Sequence, residues 1–534
     1  MRVADRGRAA SGFWRGFRGL AAVLLLGGVA GGCALEPTPL TQKDTEARIQ
    51  EDLDSIFREQ EPVDGPVTLH EAMARAVMYN LDHRLTVMEE ALKQRQLDLS
   101  RYDLLPRVMT EAGYRSRSNF NASSSQDVFT GQETLTPSTS EERDILSADL
   151  NVAWNVLDFG VSYFTARQQA DRALIAYEQR RRVVHGIIQD VRSAYWRAVA
   201  AQRLAKQVGP LLERVEKARK DSARIQELRL ESPIKALTYR RTLLNAKRKL
   251  QDLRRDLSLA KIELATLMNL PPDQDFEVAM PGGASLEVPE LPLEPQVMED
   301  LALAYRPELR REQYQARVSA DETRKALVRL LPGLEFHTGY HLNSNDFLVN
   351  NDWADYGVRV SWNLLNLLSA PARIEHAESQ EKVAISRRQA LSMAVLSQVY
   401  VSYRNYQQAV DIFRTNAEVA DVETRIVGHL RKESQARSSG ELAVIQGELN
   451  ALIAKLRRDL AFARARNALG RVYVTVGADP LPDRVEAASV AAVSQAIRTT
   501  LDGWRNGELH MRSVKLDIGG EQGEPEAGAT SELF

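Results

Sequence analysis

The stretch Leu146-Ser147-Ala148-Asp149-Leu150-Asn151-Val152-Ala153-Trp154-Asn155-Val156 changes character at every step. In an extended chain successive side chains point to opposite faces. Leu146, Ala148, Leu150, Val152, Trp154 and Val156 therefore line one side, and Ser147, Asp149, Asn151, Ala153 and Asn155 the other. Three further segments obey the same rule. Over 356–364, Tyr356, Val358, Val360, Trp362 and Leu364 oppose Gly357, Arg359, Ser361 and Asn363; over 335–343, Phe336, Thr338, Tyr340 and Leu342 oppose Glu335, His337, Gly339, His341 and Asn343. The weakest, 107–117, sets Val108, Thr110, Ala112, Tyr114 and Ser116 against Arg107, Met109, Glu111, Gly113, Arg115 and Arg117. Segments of about ten residues with one apolar and one strongly polar face match tilted strands of a membrane barrel, lipid outside and water inside. A soluble sandwich gives the same alternation, with the apolar face against a second sheet.

Working outward, the chain is written twice. Ala76, Tyr79, Arg84 and Leu104-Leu105-Pro106 recur 226 positions later as Ala302, Tyr305, Arg310 and Leu330-Leu331-Pro332. Trp154-Asn155, Arg180, Val191, Tyr195 and Pro272 recur 208 positions later as Trp362-Asn363, Arg388, Val399, Tyr403 and Pro480. Repeats of roughly 200 residues are a duplication rather than a solenoid, which needs shorter and more numerous units. Each copy, 68–272 and 296–480, predicts a helix (69–105, then 296–331) stopped by proline, two alternating segments around a polar loop, and a long helical stretch (161–269, then 370–475). Sixty helical residues reach roughly 90 Å, too long for a compact globule. Apolar residues four apart, Ile187, Val191 and Tyr195 in one copy and Val395, Val399 and Tyr403 in the other, predict a packed seam in both.

The amino terminus reads as an export signal over 1–32: arginines, then the apolar run from Leu20 to Val29, then small residues before Cys33. That run is too short to cross a bilayer, which takes about 20 residues. No run of 18 apolar residues follows residue 33, so only a barrel could span a membrane. Cys33 is the single cysteine, which excludes an intramolecular disulfide and any multi-cysteine zinc site. With 70 basic and 72 acidic side chains the chain has no cationic excess, so nucleic acid is not an expected partner. Walker A, Gly-x-Ser-x-Gly and His-Glu-x-x-His motifs are absent, and His337 and His341, four apart on a strand, sit roughly 13 Å from one another, too far to share a metal ion. No enzyme reading survives.

Duplicated halves, each a helix, a strand hairpin and a long helix, resemble the TolC-like outer-membrane factors, the exit ducts of Gram-negative efflux pumps and type I secretion. The resemblance covers roughly 68–480 and implies a mainly α chain with a four-stranded β contribution. It implies a homotrimer whose 12-stranded β-barrel in the outer membrane continues as a 12-helix α-barrel across the periplasm, with Arg107, Glu111, Asp149, Asn151, Glu335, His337, His341 and Arg359 facing the lumen. Trp154, Trp362, Phe159 and Tyr340 fall on the lipid or interfacial side. Ala30-Gly31-Gly32-Cys33 is similar to a lipobox, implying diacylglycerol and an N-acyl chain on Cys33, with Ala34 favouring the outer membrane. No other cofactor is implied.

The long stretches should fold back near Ser232-Pro233 and Ser439-Gly440-Glu441. The family's turn motif stands here and docks a periplasmic adaptor, which in turn meets an inner-membrane transporter. Lys235-Ala236-Leu237 and Leu442-Ala443-Val444 replace its Asp-Val-Leu. Glu441 and Glu448 are the candidates for an acidic aperture, since carboxylates converging on an axis attract cations. Segments 33–67, 273–295 and 481–514 lie outside the repeat and are expected to form an equatorial collar with an acylated N-terminal linker; 515–534, rich in Gly and Glu, is expected to be a disordered tail. Transport through such a duct is passive. The alternatives are a periplasmic adaptor, which has one helical hairpin rather than two, and a structural coiled-coil lipoprotein, which leaves the strands unexplained.

Overall fold

The computed structural model describes residues 38–58, 60–134, 136–227, 232–271, 273–279, 286–437, 441–481 and 489–509. Residues 1–32, Cys33, Gly440 and 515–534 lie outside them. The chain divides into two units, Met1–Gln60 and Glu61–Phe534. In the first, helix α1 (Gln42–Phe57) starts at a capping box in which the Asp44 N–H donates to Thr41 Oγ1 (3.2 Å) and the Thr41 N–H to Asp44 Oδ2 (3.1 Å).

The second unit runs through one cycle twice. Helices α2 (Leu69–Tyr79) and α3 (Leu81–Tyr102) lead into strand β1 (Arg107–Ser116); a loop carrying the two-residue strands β2 (Ala122–Ser123) and β3 (Ser138–Thr139) follows, then β4 (Asp144–Asn155), α4 (Val156–Glu227) and α5 (Pro233–Leu267). The second cycle is α6 (Pro295–Tyr305), α7 (Pro307–Val328), β5 (Gly333–Asn343), β6 (Asp352–Ser361), α8 (Leu365–Arg437) and α9 (Glu441–Thr475), closed by α10 (Val490–Arg505). At 72 residues, α4 is roughly 110 Å long.

Three expectations need correction. The helices expected over 69–105 and 296–331 are each broken in two. Arg306 precedes Pro307, whose ring pushes it out of the helical region (ψ 128°), and Asn80 takes the same conformation and accepts from the N–H groups of Asp82 and His83 (3.0 and 3.2 Å). The long helices begin earlier than 161 and 370, because Asn155, the last residue of β4, and Asn363, two residues past the end of β6, accept from Leu157 N–H (2.9 Å) and Leu365 N–H (3.1 Å). The fourth strand spans Asp352–Ser361 rather than 356–364; Trp362 lies beyond it and its indole N–H donates to the Leu330 carbonyl (3.0 Å).

The core is helical and lies at the level where the breaks occur. Ile188, Val191 and Tyr195 of α4 pack with Met73 and Ala76 of α2, Phe462 of α9 and Ile497 of α10. Val395 and Val399 of α8 pack with Met298 and Ala302 of α6, Val472 of α9 and Trp504 of α10. Further along, Leu204, Val208 and Val215 of α4 meet Leu243 and Leu250 of α5 and Ile445 of α9. Arg181 ties this core to the turn after α9: its guanidinium donates to Asp479 Oδ2 (2.7 Å) and Glu178 Oε2 (2.6 Å), while His185 Nε2 lies 2.8 Å from Asp479 Oδ1.

Candidate functional site

The four long strands form one antiparallel sheet in the order β1-β4-β5-β6. Its register aligns the periods of all four strands, because directly paired residues share a face. One rung runs Thr110, Leu150, Tyr340, Ala354; the next runs Val108, Val152, Thr338, Tyr356. On this apolar face Val108, Tyr114, Leu150, Val358 and Val360 are exposed, Val360 by 68% and Tyr356 by 90%. No second sheet covers it among the described residues, which removes the soluble-sandwich alternative. Trp154 stacks with Phe336 and meets Phe159 of α4 edge-on, with ring centroids at 6.4 and 5.8 Å, at the end of the sheet from which the helices depart. Trp362 is exposed at the same end, and Tyr340 donates to Asp352 Oδ2 (2.9 Å) near the loop end.

The opposite face collects the polar residues. Glu111, Asp149, His341 and Trp353 share a rung, and Met109, Asn151, Gly339 and Asp355 the next. His341 lies between two carboxylates, Nδ1 at 2.5 Å from Asp149 Oδ1 and Nε2 at 3.3 Å from Asp355 Oδ2, with its ring stacked on Trp353. Two glycines make room for these rings: a Cβ on Gly339 would stand 2.6 Å from His341 Nε2, and one on Gly357 would stand 2.5 Å from the His337 ring. Nearer the helices, Arg359 Nη1 is 3.5 Å from Glu335 Oε1 and Arg107 is 3.8 Å from Asp158. The eight polar residues singled out from the sequence thus share one face, with Asp149 and His341 in contact and Glu335 paired with Arg359.

Among the described residues both edges of the sheet are open. Edge strand β1 is preceded by α3, on which Leu81, Leu85, Met88, Leu92, Leu99 and Tyr102 are exposed at alternating spacings of three and four, broken only by Arg95. Edge strand β6 is followed by α8, which exposes Ile412, Val419, Val422 and Ile426 at the same spacing. Among the described residues these are coiled-coil seams lacking a partner helix. The sequence reading missed them, although the spacing from Leu81 to Tyr102 was there to be read.

At the far end of the helices, Ser232 and Pro233 open α5 and are exposed, as are Ile234 (72%) and Leu237 (51%). A cavity of about 310 Å³ lined by Ile234, Tyr239, Thr242 and Leu442 brings the starts of α5 and α9 together. Glu441, the first residue of α9, is exposed. Glu448 is different: its side chain is only 11% exposed and accepts from Arg431 Nη2 (2.8 Å) and from Arg214. Burial works against its charge, but those two hydrogen bonds outweigh it and hold the carboxyl below the ordinary glutamate value. A third group that the sequence did not point to is Arg181–Asp479–His185, whose partners are nearly 300 residues apart.

Among the described residues no helix is long and apolar enough to cross a membrane, and no cluster of three or more His, Cys, Asp or Glu side chains could hold a metal ion. No family model matches the chain, and no curated protein does. Solved structures do. The outer-membrane channel OprN is 15% identical with a TM-score of 0.60, over 77% of this chain and 89% of that one. The open state of the Neisseria gonorrhoeae MtrE outer membrane channel is 16% identical with a TM-score of 0.59, over 77% and 88%. The outer membrane protein VceC of Vibrio cholerae is 13% identical with a TM-score of 0.58, over 77% and 96%. The chain has the fold of the TolC-like outer-membrane channels.

Proposed function

We propose that the chain is one subunit of an outer-membrane exit duct, with three copies closing a 12-stranded barrel that continues as a helical tube. The observation that carries this is the bare apolar face of a sheet open at both edges. Unpaired edge strands and exposed apolar faces are unstable in water. Within a bilayer, the apolar face suits lipid and the edges pair copy to copy, since only closed barrels satisfy every strand there. Two copies supply eight strands, whose interior fills with side chains; three supply twelve and leave a wet lumen. The seams on α3 and α8 lie on the same open edges, so strands and helices close together. The likeness to outer-membrane channels supports the location and the conducting role.

In this reading Cys33 is acylated and adds an anchor of about 0.8 kcal/mol per buried methylene. Ser232, Pro233, Gly440 and Glu441 meet a periplasmic adaptor of an efflux or type I secretion assembly, whose inner-membrane pump supplies the energy. Glu441 is the better placed of the two aperture candidates, because Glu448 is neutralised by Arg214 and Arg431. Reconstitution into planar bilayers tests the proposal: discrete conductance steps are expected from a species that fractionates with the outer membrane and whose migration is heat-modifiable, larger than one chain unboiled and one chain after boiling. A soluble periplasmic monomer that leaves bilayers silent would overturn it.

A further inference from the structure

A cavity of about 490 Å³ lies well away from both sheet and tips, where the first residues of α7 and the last of α9 come together between α4 and α8. Arg182, Gly186 and Gln189 of α4 line it; Ile187, Val191 and Tyr195, which α4 turns toward α2 and α10, lie on the far side of that helix. The cavity therefore opens away from α2 and α10, which in the duct reading means into the lumen. Its size is that of a small-molecule site.

The charges do not cancel. Glu308 serves two guanidinium groups, Arg306 Nε at 3.0 Å and Arg182 Nε at 3.7 Å, and Arg471 faces the remaining carboxylate, Asp190. His185 is turned to Asp479. Three cations against two carboxylates leave one positive charge in excess. Two buried atoms of the lining also have no hydrogen-bond partner in the protein: Nη1 of Arg306, a donor, and Oε1 of Gln189, an acceptor. Gln189 is 7% exposed and is fixed by donating from Nε2 to the Asn467 carbonyl (2.8 Å), which leaves Oε1 as its free end. Buried polar groups left unpaired are costly.

We propose that this cavity binds a small mono-anion bearing hydrogen-bond donors, of the polyhydroxy carboxylate class. The carboxylate meets Arg306 and Arg471, and a hydroxyl donates to Gln189 Oε1. Its position in a conducting lumen rests on the duct reading; the binding itself does not. The test is calorimetric titration of the purified full-length protein in detergent with gluconate, using ribitol and chloride as comparators. One saturable gluconate site per chain is expected, weakened at least tenfold by Arg306→Gln and by Arg471→Gln, and severalfold by Gln189→Leu, with no saturation by ribitol or chloride. Absence of saturable gluconate binding, equal binding by ribitol or chloride, or binding indifferent to all three substitutions would overturn it; the first outcome is what water alone filling the cavity predicts. The same preparation goes into planar bilayers. Conductance without gluconate binding removes the site and leaves the duct, whereas gluconate binding without conductance removes the duct and leaves the site.

Discussion

Asp479 shows how a single residue can join the two halves of the chain. Burial opposes its charge, yet the hydrogen bond and charge of His185 and the charge of Arg181 prevail and hold its carboxyl at about 2, against an ordinary 3.8. A carboxyl with a depressed folded pKa stabilises the fold above its unfolded value and ceases to do so as pH falls through the folded one. The shift corresponds to roughly 2 kcal/mol, present above about pH 4 and lost toward pH 2. Asp479→Asn should cost on the order of 3 kcal/mol at neutral pH by leaving the Arg181 charge incompletely paired, and should flatten that acid limb, as thermal melts across pH will show. On the sheet, neighbouring positions should differ sharply. In the proposed barrel Leu150→Asp would put a charge toward lipid at about 2 kcal/mol or more and should block membrane assembly, while Asn151→Asp on the polar face should assemble normally, judged by outer-membrane fractionation. Leu150 and Asn151 could be assigned to faces from the sequence because a strand's period is local. Asp479 could not, because its partners on α4 are distant in the chain.

The elements were legible where a period ran uninterrupted and obscure where one residue broke it. The strand at β4 reads cleanly. Strand β6 starts earlier than its pattern, because Trp353 sits on the polar face against His341 and Asp352 on the apolar one, reversing the alternation over its first two residues. Pro307 marked the break between α6 and α7 in plain sight, whereas Asn80 makes the equivalent break between α2 and α3 by capping alone. The α6–α7 break is braced from outside by Gly477 (φ +83°), where a Cβ would stand 2.7 Å from the Tyr305 carbonyl carbon and 2.9 Å from Arg306 N. Gly477→Ala meets backbone on one side and a left-handed conformation on the other, so a loss of about 2–4 kcal/mol is expected in chemical denaturation. Gly428, inside α8 with open space around its Cβ position, should respond in the opposite sense: Gly428→Ala should stabilise by about 0.5–1 kcal/mol.

At the scale of the molecule, a single chain leaves unpaired what three chains can pair. Twofaced strands revealed the sheet from sequence, and the duplication revealed that two hairpins enter it; the apolar spacing of α3 was legible too, but only the structure showed that the seams of α3 and α8 stay uncovered. Lys in place of Leu92 and Val419 together should weaken assembly without unfolding the subunit, seen as monomer with unchanged helical circular dichroism, because both side chains are exposed in the chain alone. The central claim is that β6 of one copy pairs with β1 of the next and that the ring closes at three. Cysteines placed along these two strands, in a background of Cys33→Ser, test it by oxidation in intact outer membranes followed by denaturing electrophoresis. The account predicts cross-linked species of two and three chains and nothing larger for at least one register of cysteine pairs; monomer at every pair, or a ladder continuing beyond three, would contradict it.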